Sequence, residues 1–316
     1  MVTTPLKITE NMDQNIKGLV FNIVHGSFVD GYGVRTTIFL KGCPLQCLWC
    51  CNPEGQTKDL EIKYTPPKCN ECAKCVNVCP TEAITLYEGK KVKIDRDLCN
   101  SCGKCINICY TGAIEFFGCH MTVDEVFDTV KKDEKYYSSS GGGVTIGGGE
   151  PTSQPHFTYA LMKKCQQNYI HVAVDTCGYT TTQLGFKILE EADLLLYDLK
   201  CIDLNSHIEN TGVSNELILK NLQKLADMGK SLIIRIPLVP GYNDSKKNIR
   251  ETAKFLSEMR TVERVDIIPY HKFGIIKYEQ LGKEYRLSSI QTQPQKYIDK
   301  TENIFKSFGL TTQIGG

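Results

Sequence analysis

The chain has 316 residues, 41% of them hydrophobic, with 37 Lys and Arg against 36 Asp and Glu. That length suits one α/β barrel or two modest domains, and the balanced charge argues against nucleic acid or an anionic membrane as partner. No apolar run approaches the ~18 residues of a membrane span. The opening Met1-Val2-Thr3-Thr4-Pro5-Leu6-Lys7 has no signal-peptide core, so a cytoplasmic protein is expected. Sixteen cysteines would suggest disulfides in a small secreted chain, but eleven fall in three tight clusters at metal spacing, which reads as thiolates holding iron in a reducing cell.

Residues 18–25, Gly-Leu-Val-Phe-Asn-Ile-Val-His, are rich in β-branched and aromatic side chains and read as an opening strand. Residues 26–33 form a glycine-punctuated loop, and residues 34–40 read as a second strand. Directly after it comes Cys43-Pro44-Leu45-Gln46-Cys47-Leu48-Trp49-Cys50, with its thiols spaced C-x3-C-x2-C. Three such thiols wrap one soft metal centre but fall one short of the four that close an iron-sulfur cubane. A structural zinc normally has all four positions filled, whereas a catalytic metal keeps one free, so the pattern looks catalytic.

An internal repeat follows. Cys69, Cys72, Cys75 and Cys79 recur thirty positions later as Cys99, Cys102, Cys105 and Cys109, and even Ala83-Ile84 matches Ala113-Ile114. C-x2-C-x2-C-x3-C, twice, is the pattern of bacterial two-cluster ferredoxins, in which the fourth Cys of each run ligates the other cluster. One 4Fe-4S cluster is therefore expected on Cys69, Cys72, Cys75 and Cys109, and a second on Cys99, Cys102, Cys105 and Cys79. Pro80 follows Cys79, but Tyr110 follows Cys109. With every iron closed by cysteine, these clusters can carry electrons or brace a surface, and the general use of such clusters favours electron relay toward the Cys43 site over a structural or docking role.

Thr122-Val123-Asp124-Glu125 is a capping box, and Val123, Val126 and Val130 at helical spacing predict a helix from there. Strand-like runs then occur at 143–146, 170–175, 194–199, 232–237 and 264–269, with helical stretches such as 216–228 and 246–259 between them. Counting 34–40, six β/α units imply a parallel sheet flanked by helices. Ligands gather at the carboxyl ends of such strands, and the unusual residues fall there: Gly147-Gly148-Gly149-Glu150, Asp175-Thr176-Cys177-Gly178, Tyr197-Asp198-Leu199-Lys200 and Pro269-Tyr270-His271. Lys200 ends an apolar strand and needs an anion, either a ligand or Asp198 on the same strand face. Cys51, Cys119, Cys165, Cys177 and Cys201 lack a spacing partner and read as packed thiols.

The C-x3-C-x2-C run with Trp49 before its last Cys is similar to the signature of the radical AdoMet (S-adenosylmethionine, SAM) superfamily. Residues 27–35 resemble the S-x-V-D-G-P-G-x-R segment of its glycyl radical enzyme activases, with Tyr32 in place of the usual proline. The glycine run, the resemblance of Asp175-Thr176-Cys177-Gly178 and Asp198-Leu199-Lys200 to the activases' D-T-N-G and D-L-K motifs, the I-R-x-x-x-V-P-G run at Arg235 and the run at His271, like their L-P-Y-H-x-x-G, extend the likeness across nearly the whole chain. The resemblance implies a partial (β/α)6 barrel over residues 1–64 and 115–316, with a two-cluster ferredoxin-like insert at 65–114. It implies a third 4Fe-4S cluster on Cys43, Cys47 and Cys50, whose open iron is chelated by AdoMet. Trp49, Cys50, Cys51, Gly148, Gly149, Glu150, Asp198, Leu199, Lys200, Arg235 and His271 would lie on AdoMet. Asp175, Thr176 and Asp198 would hold a monovalent cation.

Activases of this kind cleave AdoMet reductively, and the 5′-deoxyadenosyl radical takes a hydrogen atom from a backbone glycine of a partner enzyme. Asp30 would approach that partner's glycine loop, or else simply cap a turn. Flavodoxin or ferredoxin would be the reductant. The insert points to the group serving dehydratases, decarboxylases and C–N lyases, and the overall likeness to 4-hydroxyphenylacetate decarboxylase as partner. Choline trimethylamine-lyase and glycerol dehydratase are the alternatives. Rivals of another class are a radical AdoMet enzyme acting on a small molecule and a pure electron-transfer protein.

Overall fold

The computed structural model describes residues 16–87 and 91–315; the stretch Met1 to Lys7, read above for a signal-peptide core, lies outside the described residues. In chain order the strands are β1 (Lys17–Ser27), β2 (Arg35–Leu40), β3 (Glu61–Tyr64), β4 (Ile84–Tyr87), β5 (Lys91–Ile94), β6 (Ile114–Phe117), β7 (Cys119–Thr122), β8 (Gly143–Gly148), β9 (Val172–Thr176), β10 (Leu194–Asp198), β11 (Leu232–Leu238), β12 (Val262–Pro269) and β13 (Thr312–Ile314).

Nine of them form one sheet in the order β13-β12-β11-β10-β9-β8-β2-β1-β7. The six expected strands, β2 and β8 to β12, pair in parallel throughout. Each of them buries apolar residues, as parallel strands packed between layers must, most completely β10, where Leu194, Leu195, Leu196 and Tyr197 are all buried. Six units understate the sheet, however. β13 adds a seventh parallel strand, and β1 and β7 extend the other edge antiparallel. β7 and β13 are three or four residues long and largely polar, so their pairing comes from neighbours rather than from a pattern of their own. Among the described residues the two ends of the sheet do not pair with each other, which leaves the barrel open.

The capping box forms as expected. Thr122 accepts from the Glu125 N–H, the Glu125 carboxylate accepts from the Thr122 N–H, and the helix Val123–Val130 buries Val123, Val126, Phe127 and Val130 against the sheet. The cysteine-rich insert hangs from a two-stranded stem of β3 and β6, with β4 and β5 as a second hairpin. Its internal symmetry extends to conformation. Each repeat carries one short helix, Lys74–Asn77 and Lys104–Ile108, and Ala83, Ile84, Ala113 and Ile114 pack at 1–2% exposure as its core. The stem is tied to the barrel by ion pairs: Glu61 of β3 receives Lys41 at 3.2 Å and Lys283 at 2.8 Å. The Lys41 ammonium is fully buried, so these contacts offset a large desolvation cost.

Candidate active site

The loop after β2 is fixed by backbone bonds on both sides. Gly42 and Cys43 donate to the carbonyls of Gly55 and Gln56, and Gln46 and Leu48 donate to those of Thr211 and Asn210. Leu45 and Trp49 are buried as anchors, at 2% and 8% exposure. Cys43, Cys47 and Cys50 are thereby turned into one cavity of about 450 Å3, together with residues from the ends of β8 to β12. Burial pushes the Cys47 thiol up to about 12 and raises Cys50 as well. Thiolates at these positions therefore require a positive centre, which the iron of a cluster provides. Gly148 and Gly149 line the same cavity, but their lack of side chains has a packing cause too: a Cβ on Gly149 would stand 2.4 Å from the Gly42 carbonyl oxygen and 2.5 Å from that of Gly55.

Opposite the thiols lies a cluster of charge. Arg235 from the middle of β11 sits 3.1 Å from Asp175, 3.9 Å from Asp198 and 4.0 Å from Asp30. Lys200 pairs with Asp198 at 2.5 Å, so the ion pair open from the sequence does form, and both residues line the cavity. Three carboxylates thus face two cations. Burial raises Asp175, to about 7, against the pull of the Arg235 guanidinium. For Lys200, burial pulls the ammonium down, but Asp198, Cys47 and Asp175 together outweigh it and the net direction is up. The buried Oδ1 of Asp175 and Nε of Arg235 have no hydrogen-bond partner within the protein. Such orphaned groups in a cavity suit a zwitterionic ligand that brings its own donor and acceptor.

Asp30 does two things at once. Its Oδ2 accepts from Ser27 at 2.6 Å and Thr37 at 2.7 Å, bracing the turn, while Oδ1 faces Arg235. His271 and Trp49 also line the cavity; His271 stacks on the exposed Phe273 at 4.4 Å, and burial lowers its imidazole. The Trp49 Nε1 is buried without a partner.

Two residues carried over for AdoMet do not reach the cavity by their side chains. Leu199 is packed in the core. Glu150 is fully buried, and its carboxylate accepts from the Thr152 N–H and hydroxyl, the Thr176 hydroxyl and the Cys177 N–H at 2.8–3.0 Å. It is a brace that ties the end of β8 to the end of β9. The packed-thiol reading also needs correction. Cys165 and Cys201 are buried as expected, but Cys51 and Cys119 are exposed. Cys51 sits at the cavity beside Cys50, and Cys119 lies on the edge strand β7. Cys177 is buried yet lines the cavity beside Cys43. Only its place at a strand end signalled this, because it has no spacing partner.

In the insert, Cys69, Cys72, Cys75 and Cys109 line a single small cavity. Cys105 lies within electrostatic reach of Cys99 and Cys102. Both loops turn through left-handed residues at equivalent positions, Glu71 and Ala73 in one repeat and Ser101 and Gly103 in the other. Side chains rarely tolerate that conformation without a compensating site. Among the described residues no three His, Cys, Asp or Glu side chains converge tightly enough to hold a single metal ion; these thiols ring a space instead. In a cubane each cysteine binds a different iron, so a ring of this kind fits a cluster.

Residues 107–256 match the model of the Radical SAM superfamily, and residues 68–113 match that of a 4Fe-4S dicluster domain. The trans-4-hydroxy-L-proline dehydratase activating enzyme of Clostridioides difficile is 39% identical over 302 residues, covering 94% of this chain and 99% of its own length. This chain belongs to the radical SAM glycyl radical enzyme activating enzymes. Other activases of the family are comparably similar. The choline trimethylamine-lyase activating enzyme of Oleidesulfovibrio alaskensis is 37% identical over 94% of this chain and 98% of its own. The 4-hydroxyphenylacetate decarboxylase activating enzyme of C. difficile strain 630 is 35% identical over 96% and 97%. Among solved structures, Streptococcus suis SuiB bound to its precursor peptide SuiA shares the fold at TM-score 0.56, with 14% identity over 91% of this chain and 50% of that one.

The Glu150 brace gives a stability prediction. Glu150→Ala strips several buried donors of their acceptor and should lower stability by about 3 kcal/mol in urea unfolding, before any AdoMet is added. A parent-like midpoint would contradict the bracing role.

Proposed function

We propose that AdoMet occupies the cavity between Cys43, Cys47 and Cys50 and the charges of Asp175, Asp198, Lys200 and Arg235, and that Asp30 meets the glycine loop of a partner enzyme. The observation that carries this reading is the convergence of three thiols and these charges on one cavity of about 450 Å3. When bound, AdoMet on a reduced cluster supplies the 5′-deoxyadenosyl radical that takes the glycine hydrogen atom. The protein's own contributions are positional and electrostatic. Lys200 faces the AdoMet carboxylate, and the carboxylates of Asp175 and Asp198 face its ammonium or a monovalent cation with Thr176. Gly148 and Gly149 give close backbone approach, and Trp49 and His271 wall the site. Arg235 offsets the mutual repulsion of Asp30, Asp175 and Asp198. No general acid or base is needed.

The proposal includes three 4Fe-4S clusters, a flavodoxin or ferredoxin reductant and a cytoplasmic location, all supported by eleven clustered thiols that must remain reduced. Among the described residues no helix is long and apolar enough to cross a membrane. For the partner, the sequence likeness favoured 4-hydroxyphenylacetate decarboxylase. The 39% identity to the trans-4-hydroxy-L-proline dehydratase activase gives that dehydratase an equal place in the test.

Anaerobically reconstituted protein should hold about twelve irons, and a Cys43/Cys47/Cys50 triple Ala variant about eight; equal iron in both would remove the third cluster. Reduced protein with AdoMet and each candidate partner should give a glycine-centred doublet in electron paramagnetic resonance with one of them. Brisk AdoMet cleavage on a small metabolite, with no doublet from any partner, would instead support a small-molecule enzyme.

A further inference from the structure

Residues 28–34 do not simply link β1 to β2; they cross the inside of the open barrel. The Asp30 carbonyl accepts from Thr145 of β8 at 2.7 Å, and its carboxylate accepts from Thr37 of β2 and faces Arg235 of β11. Buried Arg35 holds the Tyr32 carbonyl at 3.2 Å and Thr145 at 2.6 Å, so one guanidinium ties the strap to β8. At the far side the Tyr32 hydroxyl donates to Glu263 of β12 at 2.6 Å. The Tyr32 ring lies 5.6 Å from the guanidinium of Arg264, which is itself paired with buried Asp266. Burial, and then the bond to Glu263, push the Tyr32 hydroxyl up to about 12, so it remains a donor across the working pH range.

The activase motif that this loop resembles carries proline where this chain has Tyr32. Proline stiffens a loop by fixing φ; here a side-chain tether takes its place. Phe28 and Val29 beside it are 75% and 55% exposed, so their side chains do not anchor the strap, which is held by the bonds of Asp30 to Ser27, Thr37 and Thr145 and by the Tyr32 tether.

We propose that Tyr32 is a positioning residue: its bond to Glu263 latches the strap across the open barrel and so holds Asp30 where the partner's glycine loop is received. The role of Asp30 in this rests on the function proposed above; the latch does not. Tyr32 lies outside the cavity lining, so the latch acts through Asp30 rather than on AdoMet.

The test compares parent, Tyr32→Phe and Glu263→Gln as full-length reconstituted proteins. In Tyr32→Phe, hydrogen exchange over residues 28–34 should rise about five-fold with β8 to β11 unchanged, the effect of losing one partly exposed hydrogen bond. With the partner that yields a doublet, its KM should rise by a similar factor at unchanged kcat, while partner-free AdoMet cleavage stays at the parent level. Glu263→Gln keeps an acceptor oxygen and should remain near the parent. Unaltered strap exchange, acceleration across the whole sheet, or unchanged partner KM would each overturn the proposal. If no partner accepts a radical, the functional reading fails and the exchange result alone decides the latch.

Discussion

Burying five charges beside three thiols inside an apolar sheet is the constraint on which the rest of this structure depends. Burial of Asp175 is only partly offset by Arg235, whereas the surrounding carboxylates more than offset the burial of Lys200 and Arg235, and the Cys47 and Cys50 thiols, raised by burial, ionise only against a positive centre. The buried apolar runs 172–174 of β9, 194–197 of β10 and 232–234 of β11 supply the stability that allows such an arrangement beyond them. Buried residues 194–197 of β10 and 232–234 of β11 underlie the cavity, and Glu150 fastens two strand ends so that it keeps its shape.

Much of the surrounding architecture serves the same end. Gly149 lets the glycine run lie against the cysteine loop at backbone distance, and backbone bonds from residues 210 and 211 pin that loop from the other side. The insert is joined to the barrel through Glu61 and a buried lysine only two positions before Cys43. Its thiol-rich loops therefore sit on a stem mechanically continuous with the site. That continuity is compatible with both electron relay and bracing.

The parallel core was legible in the sequence because its strands are largely apolar runs, several of them followed by residues that do not belong in a core: Glu150 after β8, Asp198 and Lys200 at the end of β10 and His271 after β12. The capping box at Thr122 and the thirty-residue cysteine repeat were legible for a similar reason, since both are local spacings. What could not be read depends on contacts between distant positions. β7 and β13 are too short and polar to declare themselves. The inward turn of Glu150, the approach of Cys177 to Cys43 and the reach of Tyr32 to Glu263 join residues 26 to 231 positions apart. The glycyl radical partner is illegible on different grounds: activases of several partners share comparable identity with this chain, and the cavity residues match motifs common to the family.

The central claim is that AdoMet binds an iron held by Cys43, Cys47 and Cys50. Electron paramagnetic resonance of the reduced protein, recorded with and without AdoMet, tests it most directly. The account predicts that AdoMet changes the signal of one cluster and that this change is lost in the Cys43/Cys47/Cys50 triple Ala variant. Identical spectra with and without AdoMet, or a change that survives in the variant, would contradict it.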